Sequence, residues 1–313
     1  MLALLAPGQG SQSVGMLGPW LELDGLTARA TALGEAVGFD LVGHGTQSDE
    51  TTIKDTAVAQ PLIVAAGLLT APLVLGATGL DALTAVAGHS VGEVTAAAIA
   101  GVFTDTEALR FVASRAAGMA AASAASATGM SAVLGGDPTQ VLALLESLGL
   151  SAANINGAGQ IVAAGRLDQL AQLAANPPAK TRIIALRVAG AFHTAHMASA
   201  IPPLADFAAT LSPADPAVVV VSNADGAALR AGTQILARLV RQVTTPVRWD
   251  LCTQRLQAMK VTGVIELAPA GTLVGLAKRG LPGVETLAVK SPADLDAAHR
   301  MIREHATPDG SGA

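Results

Sequence analysis

Short uninterrupted apolar runs alternate along the chain with longer stretches in which apolar positions recur every three or four residues. The runs at 2–6, 85–87, 218–221 and 263–267 show no polar alternation, the pattern of strands buried on both faces of a parallel sheet. Helical patterns lie between them. Asp55-Thr56 caps an apolar helix running through Leu69, and a second helix follows Gly92 as far as Gly101. Thr104-Asp105 opens a third, with Glu107 in its first turn and Leu109, Val112, Ala116 and Met119 on one face. Further helical patterns cover 195–211, with a restart near Pro202-Pro203, then 232–242, 248–259 and the stretch after Gly271. Residues 15–55 read as mixed helix and loop, punctuated by Pro19, Gly25, Gly34 and Gly38.

The texture changes at Ser126. An alternating strand (MSAVLGG), a helix opened by Pro138, two strands (SAANIN and QIVAAG), a helix over 167–175 and a strand over 182–188 follow in turn. The order β-α-β-β-α-β is that of a ferredoxin-like split βαβ unit. The expected fold class is therefore α/β: a large α/β-hydrolase-like domain with a mainly parallel central sheet, interrupted by a small inserted ferredoxin-like domain. Residues 1–126 and 194–305 make the large domain, 127–193 the insertion, and 306–313 a disordered tail.

Composition narrows the function. Half of the 313 residues are hydrophobic, yet 2% are aromatic and none is tyrosine, so the core is built from Ala, Val, Leu and Ile. The net charge of −5 argues against nucleic-acid binding. Cys252 is the only cysteine, so no internal disulfide forms, which fits a reducing compartment. No basic segment opens a signal peptide. The apolar run 57–80 is interrupted by Gln60, Pro61, Gly67, Pro72 and Gly76, and reads as a core helix rather than a membrane span. The chain is expected to be soluble, cytoplasmic and monomeric.

One stretch carries candidate chemistry. LTAVAGHSVGE places Gly88-His89-Ser90-Val91-Gly92, a G-x-S-x-G pattern, between a strand and a helix. Such an elbow exposes a serine hydroxyl while the next backbone N–H and the helix N-terminus face developing negative charge. In a chain rich in glycine and alanine the same five residues also serve as an ordinary turn. Pro7-Gly8-Gln9-Gly10-Ser11-Gln12 follows the first strand, but Ser13 stands where a dinucleotide fingerprint needs glycine. A serine nucleophile needs a base. His89 is committed to the turn, and His44, His299 and His305 lie in loop or terminal helix, which leaves His193 and His196. Their i, i+3 spacing has no third ligand nearby, so no metal site is expected. Arg115, at the edge of an apolar helix face, either snorkels to the surface or turns its guanidinium into a cleft.

Taken together, APGQGSQ at 6–12, AGHSVGE at 87–93, Arg115 in SRAAGM, GAFHT at 190–194 and RQVTTPVRW at 241–249 resemble the malonyl-CoA:acyl carrier protein transacylase family, in order and in spacing. The resemblance extends to about residue 295. It implies that Ser90 is the nucleophile, that His193 is the general base, and that a carbonyl of Gln242 orients this histidine. It also implies an oxyanion hole from the N–H groups of Gln9 and Val91, and an Arg115 fork that grips the free carboxylate of malonate. An acetyl group would leave that buried charge unpartnered, at a cost of about 3–5 kcal/mol in comparable pairs. Phe192 and Val91 resemble the malonyl-selective pattern.

The implied reaction is ping-pong. Malonyl-CoA acylates Ser90, and the phosphopantetheine thiol of acyl carrier protein then collects the group, with no metal or redox cofactor. Lys180, Arg182, Arg187, Lys278 and Arg279 are candidates for docking an acidic carrier. The family often has Gly-Pro-Gly where this chain has Ala268-Pro269-Ala270-Gly271, and 154–160 resembles a loop bordering the cleft. Two other readings remain open. A serine esterase or thioesterase of α/β-hydrolase type would use a late base such as His299. A discrete acyltransferase serving a polyketide synthase would look the same in sequence.

Overall fold

A computed structural model describes residues 1–306; the tail expected over 306–313 lies, from residue 307 on, outside the described residues. Among the described residues there are ten strands: β1 Leu2–Ala6, β2 Leu83–Gly88, β3 Thr128–Gly135, β4 Ser151–Gly157, β5 Gln160–Arg166, β6 Thr181–Ala185, β7 Val219–Val221, β8 Ala228–Leu229, β9 Gly263–Glu266 and β10 Glu285–Ala288. They form two sheets. The larger has the order β10-β9-β1-β2-β7-β8 and is parallel throughout except for the β7–β8 pair.

The uninterrupted apolar runs now have a cause. β1 sits between β2 and β9 with all five residues buried, because helices cover both faces of the sheet. Leu2, Leu4, Val86 and Val220 point to one side, where the helices Thr56–Leu75, Gly92–Ile99 and Asp105–Ala124 close a large core. Ala3, Leu5, Ala85, Ala87 and Val221 point to the other, against Trp249, Cys252, Leu256 and Leu276.

The run read as a core helix is helical from Thr56 to Leu75 and almost entirely buried, capped by the Asp55 carboxylate on the Ala57 N–H. It continues past Leu69, through Gly67 and both prolines. Gly67 is a close approach: a Cβ there would lie 2.5 Å from Thr95 Cγ2 on the next helix. The helix Asp105–Ala124 carries the expected cap as a full capping box, with Thr104 and Glu107 bonding each other's backbone N–H.

The smaller sheet has the order β4-β5-β3-β6, every neighbouring pair antiparallel. The helices Pro138–Ser147 and Leu167–Ala175 connect its strands in the β-α-β-β-α-β sequence, around a core of Val133, Val141, Leu145, Ile161 and Leu173. Its edge strand β4 is not free. Val247 pairs in parallel with Asn154, the Ile155 N–H donating to Val247 O at 2.8 Å and the Val247 N–H to Ala153 O at 2.8 Å.

Some elements differ from expectation. The stretch read as helical over 195–211 does restart near Pro202-Pro203, but its first part, Ala195–Ala200, is a tight 3₁₀ segment rather than α-helix, and the α-helix after it, Ile201–Ala208, ends short of 211. Pro202 and Pro203 lack the N–H that would continue the first segment, so they open a new helix instead. The last strand of the small sheet ends at Ala185 rather than 188. Residues 15–55 contain a full twelve-residue helix, Leu26–Val37, ended by Gly38 in the left-handed conformation.

Candidate active site

Ser90 stands at the carboxyl end of β2, where the chain turns into the helix Gly92–Ile99, with a left-handed φ of 54°. That conformation costs a serine about 1–3 kcal/mol and persists only where surrounding bonds enforce it. Two glycines permit it. A Cβ on Gly88 would lie 1.9 Å from Gly92 O, and one on Gly92 would lie 2.1 Å from Ala6 O. Asn223, just beyond β7, clamps the turn: its Oδ1 accepts the Ser90 N–H at 2.7 Å, and its Nδ2 donates to Gly88 O at 2.6 Å.

His193 also has a positive φ, 60°, and is buried. Its Nδ1 lies 2.8 Å from the backbone carbonyl of Gln242, which can only accept, so Nδ1 carries the proton. Nε2 is therefore the free acceptor, and it takes the Ser90 hydroxyl proton at 2.7 Å. Burial, reinforced by the Arg115 charge, pushes the His193 pKa down to about 3 and keeps the ring neutral. A neutral imidazole on a serine hydroxyl can take its proton during attack on a carbonyl.

Arg115 does not snorkel. Its exposure is 0%, and it is aimed at the serine: Nη2 is 3.3 Å from Ser90 Oγ and 2.9 Å from Gln242 Oε1, while Nη1 donates to Gln60 Oε1 at 2.5 Å. Among the described residues its Nε has no hydrogen-bond partner. Among the described residues no carboxylate hydrogen-bonds to this guanidinium, and burial lowers its pKa to about 10 even though Glu93 opposes the shift. A guanidinium fork can bind a planar anion through two parallel N–H bonds.

Gln9 follows β1, and its side chain reaches Thr56 Oγ1 at 3.4 Å and Gln60 Nε2 at 3.5 Å. Among the described residues, neither the Gln9 nor the Val91 backbone N–H has a protein acceptor. Phe192 is buried in the main core beside His193. A cleft of about 360 Å³ reaches the elbow at His89, the residue before Ser90, and is lined also by Gln9, Asn154, Asn156, Gln160 and Arg279. His89 turns away from the serine, its Nε2 2.9 Å from Asn156 Oδ1. His299 does not line the cleft, and its Nε2 lies 2.8 Å from Leu73 O.

Three site residues were not foreseen: Gln60, Glu93 and Asn223. Each had a signal. Gln60 is the one amide in an apolar run, Glu93 the one charge in the helix Gly92–Ile99, and Asn223 follows the carboxyl end of a parallel strand. All three are buried and hydrogen-bonded to Arg115, Gln242 or the elbow.

The fold and this constellation are those of an acyl transferase: a model of the acyl transferase domain matches residues 4–307. The malonyl CoA-acyl carrier protein transacylase of Mycobacterium tuberculosis is 54% identical over 299 residues, covering 95% of this chain and 98% of that one. The crystal structure of MCAT from Mycobacterium tuberculosis matches with a TM-score of 0.92 at 54% identity, over 95% of this chain and 99% of that one. A malonyl-transacylase solved in complex with its type II PKS acyl-carrier protein gives 0.88 at 28% identity, over 95% and 98%. The chain belongs to the malonyl CoA-acyl carrier protein transacylase family.

Proposed function

We propose that this enzyme moves the malonyl group of malonyl-CoA onto the phosphopantetheine thiol of acyl carrier protein, supplying extender units for fatty-acid synthesis. The observation that carries the reading is the buried Arg115, a cation that among the described residues has no anionic contact, 3.3 Å from a serine hydroxyl held by a neutral histidine. Ser90 Oγ attacks the thioester carbonyl while its proton passes to His193 Nε2. The N–H groups of Gln9 and Val91 hold the developing oxyanion. The carbon–sulfur bond breaks, and the CoA sulfur leaves with the proton from His193. The carrier thiol then gives its proton to His193 and attacks the malonyl ester; the ester C–O bond breaks, and Ser90 Oγ leaves with that proton from His193, which restores the neutral histidine and the serine hydroxyl. Throughout, Arg115 grips the free carboxylate, and the Gln242 carbonyl fixes the histidine tautomer without a carboxylate partner.

The site residues are complete for this chemistry, so the reaction proceeds without a cofactor or metal. Residues 127–193 form the ferredoxin-like unit; its β4-β5-β3-β6 order is that of a split βαβ sheet. Residues 1–126 and 194–305 form the catalytic unit, of α/β-hydrolase type. The enzyme works as a cytoplasmic monomer.

The test is a transfer assay with malonyl-CoA and holo acyl carrier protein. Malonyl-carrier product that vanishes with His193→Ala and survives His299→Ala supports the reading. Loss with His299→Ala alone, or free malonate in place of malonyl-carrier, favours the esterase.

A further inference from the structure

Glu93 is a buried carboxylate hydrogen-bonded to Gln242, and the proposed mechanism does not use it. Its Oε2 accepts the Gln242 Nε2–H at 2.5 Å, and its Oε1 accepts the Asn223 N–H at 3.1 Å. The Gln242 carboxamide is then satisfied at both ends: Nε2 gives its second hydrogen to Ser90 O at 3.0 Å, and Oε1 accepts from Arg115 Nη2 at 2.9 Å. A flipped amide would set NH₂ against the guanidinium and oxygen against two acceptors. The orientation of this amide decides whether Arg115 is held or repelled.

We propose that Glu93 is a positioning residue: it locks the Gln242 carboxamide oxygen toward Arg115 and so sets the preference for acyl groups that carry a free carboxylate. The inference rests on the transacylase reading and deepens it. Glu93, Gln242 and Arg115 form a relay in which a buried anion and a buried cation share one neutral amide. With Glu93 ionised, the guanidinium stays aimed at the acyl site before any substrate arrives, and preorganisation of this kind is differential binding in favour of malonyl. An acetyl group gains nothing from it.

The carboxylate is poised to report on its own state. Burial pushes the Glu93 pKa up to about 7, against the hydrogen bonds from Asn223, Gln242 and Ser222 and the charge of Arg238. The groups facing it are Arg115, Arg238 and Cys252, with Asp225 and Arg241 lining the same cavity of about 320 Å³ that borders Glu93 and Gln242. Burial drives the Cys252 thiol well above its usual range, and His193 titrates near 3, so neither changes charge near neutrality. Acidification through about pH 7 therefore protonates Glu93 and loosens the grip on malonyl.

The test measures Ser90 acylation by malonyl-CoA and by acetyl-CoA from pH 6 to 8, in wild type and in Glu93→Gln. In wild type, the malonyl-to-acetyl ratio of kcat/KM falls about tenfold on acidification, through malonyl KM, while the acetyl rate holds. In Glu93→Gln the ratio is low and flat with pH. A ratio that is constant with pH in wild type, or a variant that loses both acyl groups equally with its pH dependence intact, overturns the proposal. The wild-type arm decides even if the variant does not fold. Absence of any malonyl adduct in wild type would instead sink the transacylase reading itself.

Discussion

At the scale of single residues, Arg115 and Glu93 are buried and, among the described residues, neither has a direct opposite partner. Arg115 is fully buried, and among the described residues its hydrogen-bond partners are neutral: Gln60, Ser90 and Gln242. Arg115→Ala should lower malonyl kcat/KM by about 3 kcal/mol, on the order of a hundredfold, with little change for acetyl-CoA. Arg115→Lys should recover only part of this, since a point charge cannot match the bidentate geometry. Steady-state kinetics with both thioesters check the pair. The His193 pKa sets a second expectation. A base whose pKa is depressed to about 3 stays unprotonated on acidification, so acetyl-CoA acylation should hold from pH 8 down to about pH 5, well below the usual imidazole range. A fall centred near 6.5 would place His193 in an ordinary, solvated setting.

At the scale of elements, strand ends do the positioning. The β2–helix elbow presents Ser90, the turn after β7 presents Asn223, and the segment after the helix Gly232–Arg241 presents Gln242. Asn223→Ala would leave the Ser90 N–H and the Gly88 carbonyl without their partner, at about 2–4 kcal/mol for two buried groups. Urea unfolding should register that loss, and activity should fall further because the left-handed serine loses its clamp. The buried strands and the capped helices were legible in the sequence, because apolar continuity and Thr104-Asp105-x-Glu107 are local signals. The edge strands β8 and β10 were not. They are two and four residues long, and β10 is only half buried, so neither carries a periodicity that stands out. The split of 195–211 was hinted at by Pro202-Pro203, but the 3₁₀ geometry before it is set by packing beneath the helix Asp105–Ala124.

At the scale of the whole molecule, the site draws on segments far apart in the chain. Ser90 and His193 are 103 positions apart, and Gln242 bonds Ser90 across 152. Motifs could therefore nominate Ser90, His193, Arg115 and Gln242, whereas the second layer of Gln60, Glu93 and Asn223 needed the packed core to bring it into view. The small sheet is tied to the same machinery, since Val247 pairs with Asn154 five residues after Gln242, and Asn154 and Asn156 border the cleft. Arg279 also lines that cleft. We propose that it and Lys278 meet the acidic carrier. Charge reversal of both should weaken carrier-dependent transfer about tenfold at low salt while sparing Ser90 acylation. Unchanged carrier kinetics would remove them from the docking surface.

The most direct test of the covalent route is the intact mass of the protein after mixing with malonyl-CoA, with acetyl-CoA and acyl-free CoA run in parallel. One malonyl adduct per chain, absent in Ser90→Ala and transferable to holo acyl carrier protein, is the expected result. Malonyl-carrier formed at full rate by Ser90→Ala, or an adduct that survives the substitution, would contradict the serine-ester mechanism.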